Sequence, residues 1–283
     1  MNATFGRIIK GVGGSYEVSC NDDVYTCSAR GVFRNRGLTP MIGDNVEIDI
    51  IAPHEKTGSV ARIFPRKNTL KRPKVANIDQ ALIIFSITHP AINIGLLDNF
   101  LVLSEKEGVD ATLVLNKSDI YNYGEGARLQ QKYENIGYKV IMMSALTKDG
   151  IEQLQEQLAG KVSVLAGPSG VGKSSIINCI SPKLMEIGEL SRKIERGKHT
   201  TRHAELIKIG TDTFVVDSPG FTALAMDNLD PNETAQYFRE FRPFLGTCRF
   251  NDCKHLREPG CAIKDQVGQT ISAERYEWYR GLM

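Results

Sequence analysis

Gly167-Pro168-Ser169-Gly170-Val171-Gly172-Lys173-Ser174 is the stretch on which the reading of this chain turns. Its spacing is the G-x-x-x-x-G-K-S of a phosphate loop. Ahead of it, Lys161-Val162-Ser163-Val164-Leu165-Ala166 is a short apolar run that reads as a buried strand. Behind it, Ser175-Ile176-Ile177-Asn178-Cys179-Ile180 reads as the start of a helix. The motif carries weight only between a strand and a helix, and both flanks fit. Glycines let successive backbone N–H groups turn inward around phosphate oxygens, and the helix start adds its partial positive charge. Gly167 through Ser175 are therefore counted as nucleotide-binding, with Lys173 placed for the β- and γ-phosphates and the Ser174 hydroxyl for Mg²⁺.

Moving outward from the loop, strands and helices alternate from about residue 75. Asp79–Ser86 is a nearly continuous apolar run, as expected of a parallel strand buried on both faces. Leu96–Glu105 has helical spacing, Asp110–Leu115 and Tyr138–Met143 read as strands, Gly150–Leu158 as a helix, and Thr213–Asp217 as a later strand. Such alternation builds a doubly wound α/β sheet that binds ligands beyond the C-terminal ends of its strands.

Three further motifs sit at such strand ends. Asn116-Lys117-Ser118-Asp119 is an N-K-x-D. The Asp119 carboxylate is suited to the guanine N1–H and 2-amino group, which adenine cannot satisfy. The Lys117 stem can pack along the base, and the Asn116 amide can tie neighbouring loops together. Ser144-Ala145-Leu146 matches an S-A-x loop that offers a backbone N–H to the guanine oxygen. Asp217-Ser218-Pro219-Gly220 fits D-x-x-G, with Asp217 reaching Mg²⁺ through water and the Gly220 N–H meeting the γ-phosphate. Arg196-Gly197-Lys198-His199-Thr200-Thr201-Arg202 suits a first switch, in which Thr200 or, in preference, Thr201 completes the Mg²⁺ shell. Phe221 follows Gly220 and cannot orient an attacking water. His199 is the nearest group by sequence able to orient water or accept its proton; otherwise it is a loop residue with no chemical part. The base-reading loops precede the phosphate loop and the switches follow it. A sheet whose termini lie close can be cut and rejoined at surface loops with its site intact.

The flanks differ in character. Residues 1–66 look all-β: Gly6–Lys10, Ser15–Cys20, Val24–Ala29, Gly43–Ile51 and Gly58–Phe64 are five short β-prone runs separated by Gly, Asn and Asp. They fit a small barrel such as an OB-fold, with Arg30, Arg34 and Arg36 in a loop that either meets nucleic acid or is simply solvated. Pro65–Lys74 is basic and proline-flanked and reads as a solvated connector to a central domain over 67–225, although its charge could touch phosphates. In residues 226–283, Cys248, Cys253, His255 and Cys261 bring three thiols and one imidazole into fourteen residues, a closed set for structural Zn²⁺. Asp230–Thr234 is expected to cap a helix running toward Phe241, and Ser272–Tyr279 to form a final helix whose aromatics pack.

The 283 residues suggest two or three domains, and the six cysteines, three of them crowded near the end, favour metal over disulfide. A net charge of +2 gives no whole-chain argument for a nucleic-acid binder. The first residues lack a secretory pattern, and no run approaches the length of a membrane span, so a cytoplasmic location without membrane association is expected.

This ordered set resembles the circularly permuted, ribosome-small-subunit-dependent GTPase A family of bacteria over essentially the whole chain. The resemblance implies an OB-fold barrel, a permuted P-loop GTPase module and a mainly helical zinc-binding segment. It implies hydrolysis of GTP to GDP and phosphate, stimulated by the small ribosomal subunit during its late maturation, and contact with ribosomal RNA. It assigns His199 as the catalytic histidine of the first switch. Ser218 stands where threonine is more usual, and Leu146 where many GTPases carry lysine. A monomer is expected. The competing reading is a zinc-stabilised RNA-binding module whose guanine nucleotide is a structural ligand with little turnover; an ATP-dependent enzyme is a third.

Overall fold

The computed structural model describes residues 4–31, 33, 37–71, 73–120, 123–181, 204–217 and 229–283. Five strands close a barrel in the order β1-β2-β3-β5-β4: β1 (Thr4–Val12), β2 (Ser15–Cys20), β3 (Asp23–Ala29), β4 (Asn45–Ala52) and β5 (Thr57–Ile63). β3 and β5 pair in parallel and the other neighbours antiparallel. Alternation places Ile8, Val18, Val46, Ile48 and Val60 in the barrel core, joined by Cys20 and Cys27. Both thiols behave as small apolar groups, and burial pushes each up to about 11.

The basic stretch after the barrel is not a solvated linker. Thr69–Lys71 (β6) and Lys74–Ala76 (β7) form a hairpin. Arg66 forks onto the fully buried Asp44, with Nε at 2.6 Å and Nη2 at 2.8 Å from its two carboxylate oxygens. The charge expected to face solvent is thus used to fasten the barrel. Arg30 is likewise paired with Asp49, while Arg34 and Arg36 lie outside the described residues.

The central sheet has the order β10-β9-β8-β11-β13-β12. Its strands are β8 (Gln80–Ser86), β9 (Asp110–Asn116), β10 (Lys139–Met142), β11 (Val162–Ala166), β12 (Glu205–Gly210) and β13 (Thr213–Asp217). All are parallel except the pairing of edge strand β12 with β13. Every residue of β8 and β11 is buried, the polar Gln80, Ser86 and Ser163 included, as expected of nearly continuous apolar strands covered on both faces. The strand β12 was not anticipated: Glu205-Leu206-Ile207-Lys208-Ile209-Gly210 is short and directly follows the stretch expected to be a switch. The helices are α1 (Ile94–Lys106), α2 (Tyr123–Ile136), α3 (Ile151–Leu158) and α4 (Lys173–Ile180). Asn93 caps α1 by accepting a hydrogen bond from the Leu96 N–H at 3.0 Å.

The C-terminal segment packs Phe238, Phe241, Ile263, Ile271 and Tyr279 around the cysteine cluster, with Val102 of α1 contributing from the other side. The single helix expected from residue 230 toward Phe241 is instead two 3₁₀ stretches, Thr234–Tyr237 and Arg239–Phe244. Phe238 between them is extended, which turns its ring onto Phe241 at 4.9 Å, and Pro243 supplies no N–H to continue a helix. Ala262–Asp265 (α5) and Ala273–Leu282 (α6) follow. Tyr276 and Tyr279 of α6 are buried, in line with packing aromatics.

Candidate nucleotide and metal sites

Strand order reverses between β8 and β11, and the phosphate loop leaves β11 at that reversal, where open α/β sheets leave a crevice. Register brings the relevant strand ends together. Ile83 pairs with Ala166, Ser86 with Asn116, and Leu115 with Met142, so the starts of the phosphate loop, the N-K-x-D and the S-A-x loop share one edge. Val164 pairs with Val216, which sets Asp217 beside the same edge.

Asn116, only 1% exposed, is the tie between them. Its Nδ2 donates to the Val171 carbonyl at 2.8 Å, and its Oδ1 accepts from the Ala145 N–H at 3.1 Å. One amide thereby holds both the phosphate loop and the S-A-x loop, as the motif suggested. It also claims, in this structure, the Ala145 N–H, one of the backbone donors of the S-A-x loop. Lys117, with a left-handed φ of 64°, sends Nζ to the His89 carbonyl at 2.5 Å and the Gly170 carbonyl at 2.9 Å. Its stem is thus stretched along the rim between base and phosphate subsites. Asp119 is exposed at the mouth and accepts a hydrogen bond from the buried Ser144 hydroxyl. Ser144 Oγ in turn accepts from the N–H groups of Leu146 and Thr147, so the carboxylate is aimed by a fully built turn.

The phosphate loop needs its glycines for contact as well as dihedral freedom. Gly167 has φ 138°, and a Cβ there would sit 2.1 Å from the Ile84 carbonyl oxygen. Gly172 has φ 97°, and a Cβ would meet Asn116 Nδ2 at 2.4 Å. Lys173 opens α4 and folds Nζ onto the Gly167 and Pro168 carbonyls, each at 2.7 Å. Burial lowers its pKa, and a phosphate arriving there would supply the negative charge that restores it. Ser174 and Ser175 are exposed on the first turn of α4, and Ser169 and Gly170 are exposed at the loop tip. His199, Thr200, Thr201, Gly220 and Phe221 lie outside the described residues, and of Asp217 only the backbone placement at the end of β13 is given.

One participant escaped the sequence reading. The β8–α1 turn reaches the site through the His89 carbonyl that grips Lys117. The Ser86 hydroxyl fixes that turn, donating to the His89 carbonyl at 2.8 Å and accepting from its N–H at 3.1 Å. A buried serine ending an apolar strand was the available signal.

At the other end of the chain, Cys248, Cys253, His255 and Cys261 place their ligand atoms within 4.8 Å of one another. The Sγ atoms of Cys248 and Cys261 stand 3.5 and 3.4 Å from His255 Nδ1 and 3.9 Å apart. Zinc bond lengths of about 2.0 Å to nitrogen and 2.3 Å to sulfur give tetrahedral edges of about 3.5–3.8 Å. The donor set fits Zn²⁺ with all four positions taken by protein, so the ion would hold the fold and perform no chemistry. Burial first, and the neighbouring Cys261 and Cys248 thiols after it, push the Cys253 thiol up to about 12. A divalent cation reverses that penalty by taking the thiolates. Tyr276 and Tyr279 anchor the ligand loop to α6, donating to the carbonyls of His255 and Lys254 at 2.7 Å each.

The same helix fastens this segment to the central sheet. Arg275 is completely buried, with Nη1 2.6 Å from Asp98 of α1 and a forked contact to Glu240. Tyr133 of α2 donates to the same Asp98 oxygen at 2.9 Å. Trp278 Nε1 donates to the Gly95 carbonyl at 3.2 Å, and Arg239 and Arg242 share Glu105. Among the described residues no helix is long and apolar enough to cross a membrane.

Comparison with known proteins gives the same answer across the chain. The family model described as RsgA GTPase matches residues 63–227, and that described as RsgA N-terminal domain matches residues 5–59. The Small ribosomal subunit biogenesis GTPase RsgA of Alkaliphilus metalliredigens is 47% identical over 277 residues, 97% of this chain and 94% of that one. The protein of the same name from Geobacillus thermodenitrificans is 42% identical over 279 residues, with the same coverage. The crystal structure of YjeQ from Thermotoga maritima superposes with a TM-score of 0.84 at 32% identity, covering 99% of this chain and 97% of that one. YloQ, described as a circularly permuted GTPase, gives a TM-score of 0.82 at 32% identity, with 99% and 93% covered.

Proposed function

Because this chain belongs to the RsgA GTPase family, we propose that it binds GTP at the β8–β11 crevice, hydrolyses it on the small ribosomal subunit, and acts there as a monomer during late subunit maturation. The observation that carries the reading is the Asn116 bridge, which reaches the phosphate loop at 2.8 Å across 55 residues of chain and the S-A-x loop at 3.1 Å across 29. Asp119, held by Ser144, takes the guanine edge. Lys117 lies along the base. Lys173 leaves the loop carbonyls for the phosphates, and the N–H groups of Gly170 to Ser175 surround them.

Mg²⁺ in such a site neutralises charge shared by the β- and γ-phosphates, and the Ser174 hydroxyl, Thr201 and, through water, Asp217 are the groups assigned to it. His199 is assigned to orient the attacking water, Phe221 being unable to, and Gly220 to donate its N–H to the γ-phosphate. These four assignments of Thr201, Asp217, His199 and Gly220 rest on motif order and on the family resemblance. The barrel and the zinc segment dock on the subunit and its rRNA, and the zinc ion keeps the second of these folded. A subunit-maturation factor of bacteria works in the cytoplasm.

Turnover of GTP with and without purified small subunits tests the reading, with His199→Ala beside the parent chain. Subunits are expected to raise the parent's rate many-fold and to leave the variant near its basal rate with GDP affinity intact. A parent rate unmoved by subunits, or ATP competing as well as GTP, overturns it.

A further inference from the structure

The barrel meets the central sheet along a seam that GTP hydrolysis does not use. Between β1 and β4 on one side and the β12–β13 hairpin on the other lies a cavity of about 280 Å³. Its charged lining is Arg7 and Lys208 with one carboxylate, Asp212, its amides are Asn21 and Asn45, and the rings of Phe5 and Phe64 also line it. The Arg7 guanidinium lies 5.3 Å over the Phe214 ring, and its Nη1 is buried with no hydrogen-bond partner. Asp79 and Asp212 act on it through space without closing an ion pair, and burial lowers its pKa. A guanidinium nitrogen sealed from water with no acceptor is costly, and a small rotation of the Arg7 side chain toward the cavity would give it one from a bound phosphate. Lys208 reaches the Asn21 carbonyl and stands 3.7 Å from Asp22, so a second cation borders the same space.

The rim is unusual for a core-facing seam. Phe5 is 63% exposed and lies 5.9 Å from Phe64 at a tilt of 40°. The Arg62 guanidinium sits 5.0 Å over the Phe64 ring. An exposed ring, Phe5, and a half-buried one, Phe64, beside an unsatisfied guanidinium form the combination that binds a planar base and its phosphate together. Amides at the wall offer both donors and acceptors for ribose hydroxyls or a base edge.

We propose that this seam is a second nucleotide site, separate from the GTP crevice, taking a phosphate on Arg7 beside Lys208 and a base against Phe5 and Phe64. The space admits one nucleotide unit and no duplex. The occupant is a free mononucleotide or one residue of a single-stranded RNA, which share this chemistry. The site also borders the hairpin whose two ends lead into residues 182–203 and 218–228, the stretches carrying both switch motifs, so occupancy would be felt by the GTPase without touching its reacting groups.

The test uses the full chain saturated with Mg²⁺ and GDP, so the crevice is filled, and adenylates as probes, because Asp119 disfavours adenine there. Binding of AMP and of a hexa-adenylate is measured by calorimetry, for the parent, Arg7→Met and Phe5→Ser. One-to-one binding is expected, weakened tenfold or more in both variants, with GTP hydrolysis unchanged within twofold. Phe5 is exposed, so its variant keeps the test decisive if Arg7→Met fails to fold. Equal affinities for the two probes identify a free nucleotide as occupant, and a tenfold advantage for the hexamer identifies a strand. Absence of binding by either probe overturns the proposal, as does binding that survives both substitutions. Inorganic phosphate competing as well as AMP also overturns it, since the rings would then contribute nothing. Intact GTP turnover, measured on GDP-free portions of the same preparations, keeps such a failure apart from any failure of the GTPase reading.

Discussion

Replacing Asn116 by alanine tests the claim that one buried amide assembles the nucleotide crevice. The substitution removes the bond to the Val171 carbonyl and the bond from the Ala145 N–H. Val171 is buried, so its carbonyl is left without a partner; Ala145 is only half-buried, so water recovers part of that loss. A stranded buried group costs about 1–3 kcal/mol and an ordinary bond about 0.5–1.5 kcal/mol, which together give about 2–4 kcal/mol. The methyl of alanine makes neither contact, and Gly172, packed against this amide, loses its neighbour as well. Both stranded groups lie on nucleotide-binding loops, so part of the loss must reappear as the work of ordering them around GDP. If half of it does, GDP binds about tenfold more weakly, at about 1.4 kcal/mol per factor of ten. Urea unfolding measures the stability term, and displacement of a fluorescent GDP analogue measures the affinity term. Asn116→Asp provides the control: it keeps an acceptor for Ala145 but turns an oxygen toward the Val171 carbonyl, and is expected to be no better than alanine. A stability change under about 0.5 kcal/mol with GDP affinity within twofold of the parent would refute the assembly argument.

Arg275→Met leaves Asp98 and Glu240 buried without their cation and is expected to destabilise the chain by about 3–5 kcal/mol in urea unfolding. Adding Asp98→Asn and Glu240→Gln should recover at least half of that, and a single-variant loss under about 1 kcal/mol would mean the carboxylates are not desolvated. Chelation of zinc is expected to red-shift the emission of Trp278, the chain's one tryptophan, because α6 is fastened through the ligand loop; an unmoved spectrum shows α6 docked without metal. Burial works against the Glu258 carboxylate, but backbone N–H groups of Lys254, Leu256 and Arg257 outweigh it and hold it down to about 2. Its folded pKa is depressed, so its contribution is complete above the ordinary carboxylate range near 4.5 and is lost as pH falls toward 2. Glu258→Gln should flatten the stability profile in that window, and an identical profile in parent and variant would discount the loop.

Elements set by one-dimensional patterns were legible in the sequence. The nearly continuous apolar strands β8 and β11 and the alternating barrel strands follow from local burial, and the phosphate loop, N-K-x-D and S-A-x loop fall on one sheet edge as their motifs require. The cysteine and histidine positions converge as their spacing indicated. What escaped depends on distant partners. Pro65–Lys74 reads as a solvated tether because nothing local reveals that Asp44, buried in the barrel, receives Arg66. The stretch from Asp230–Thr234 toward Phe241 reads as one helix because the break at Phe238 is dictated by ring packing against Phe241 and Tyr279. Arg275 in an amphipathic-looking terminal helix gives no sign that it will be sealed between Asp98 and Glu240. The role of Ser86 likewise exists only through the turn it closes.

Helix α1 is clasped along its whole length by the zinc segment, at Gly95 near its start, at Asp98 and at Glu105 near its end. That segment therefore shares one packed body with α1 and does not hang from it by a tether. The near end of α1 adjoins the turn through His89, whose carbonyl grips Lys117 on the rim of the proposed guanine pocket. A load applied where the cysteine cluster is seated would, on this arrangement, reach first the residue proposed to lie along the base. The purine's dwell time would then be the property most directly exposed to it.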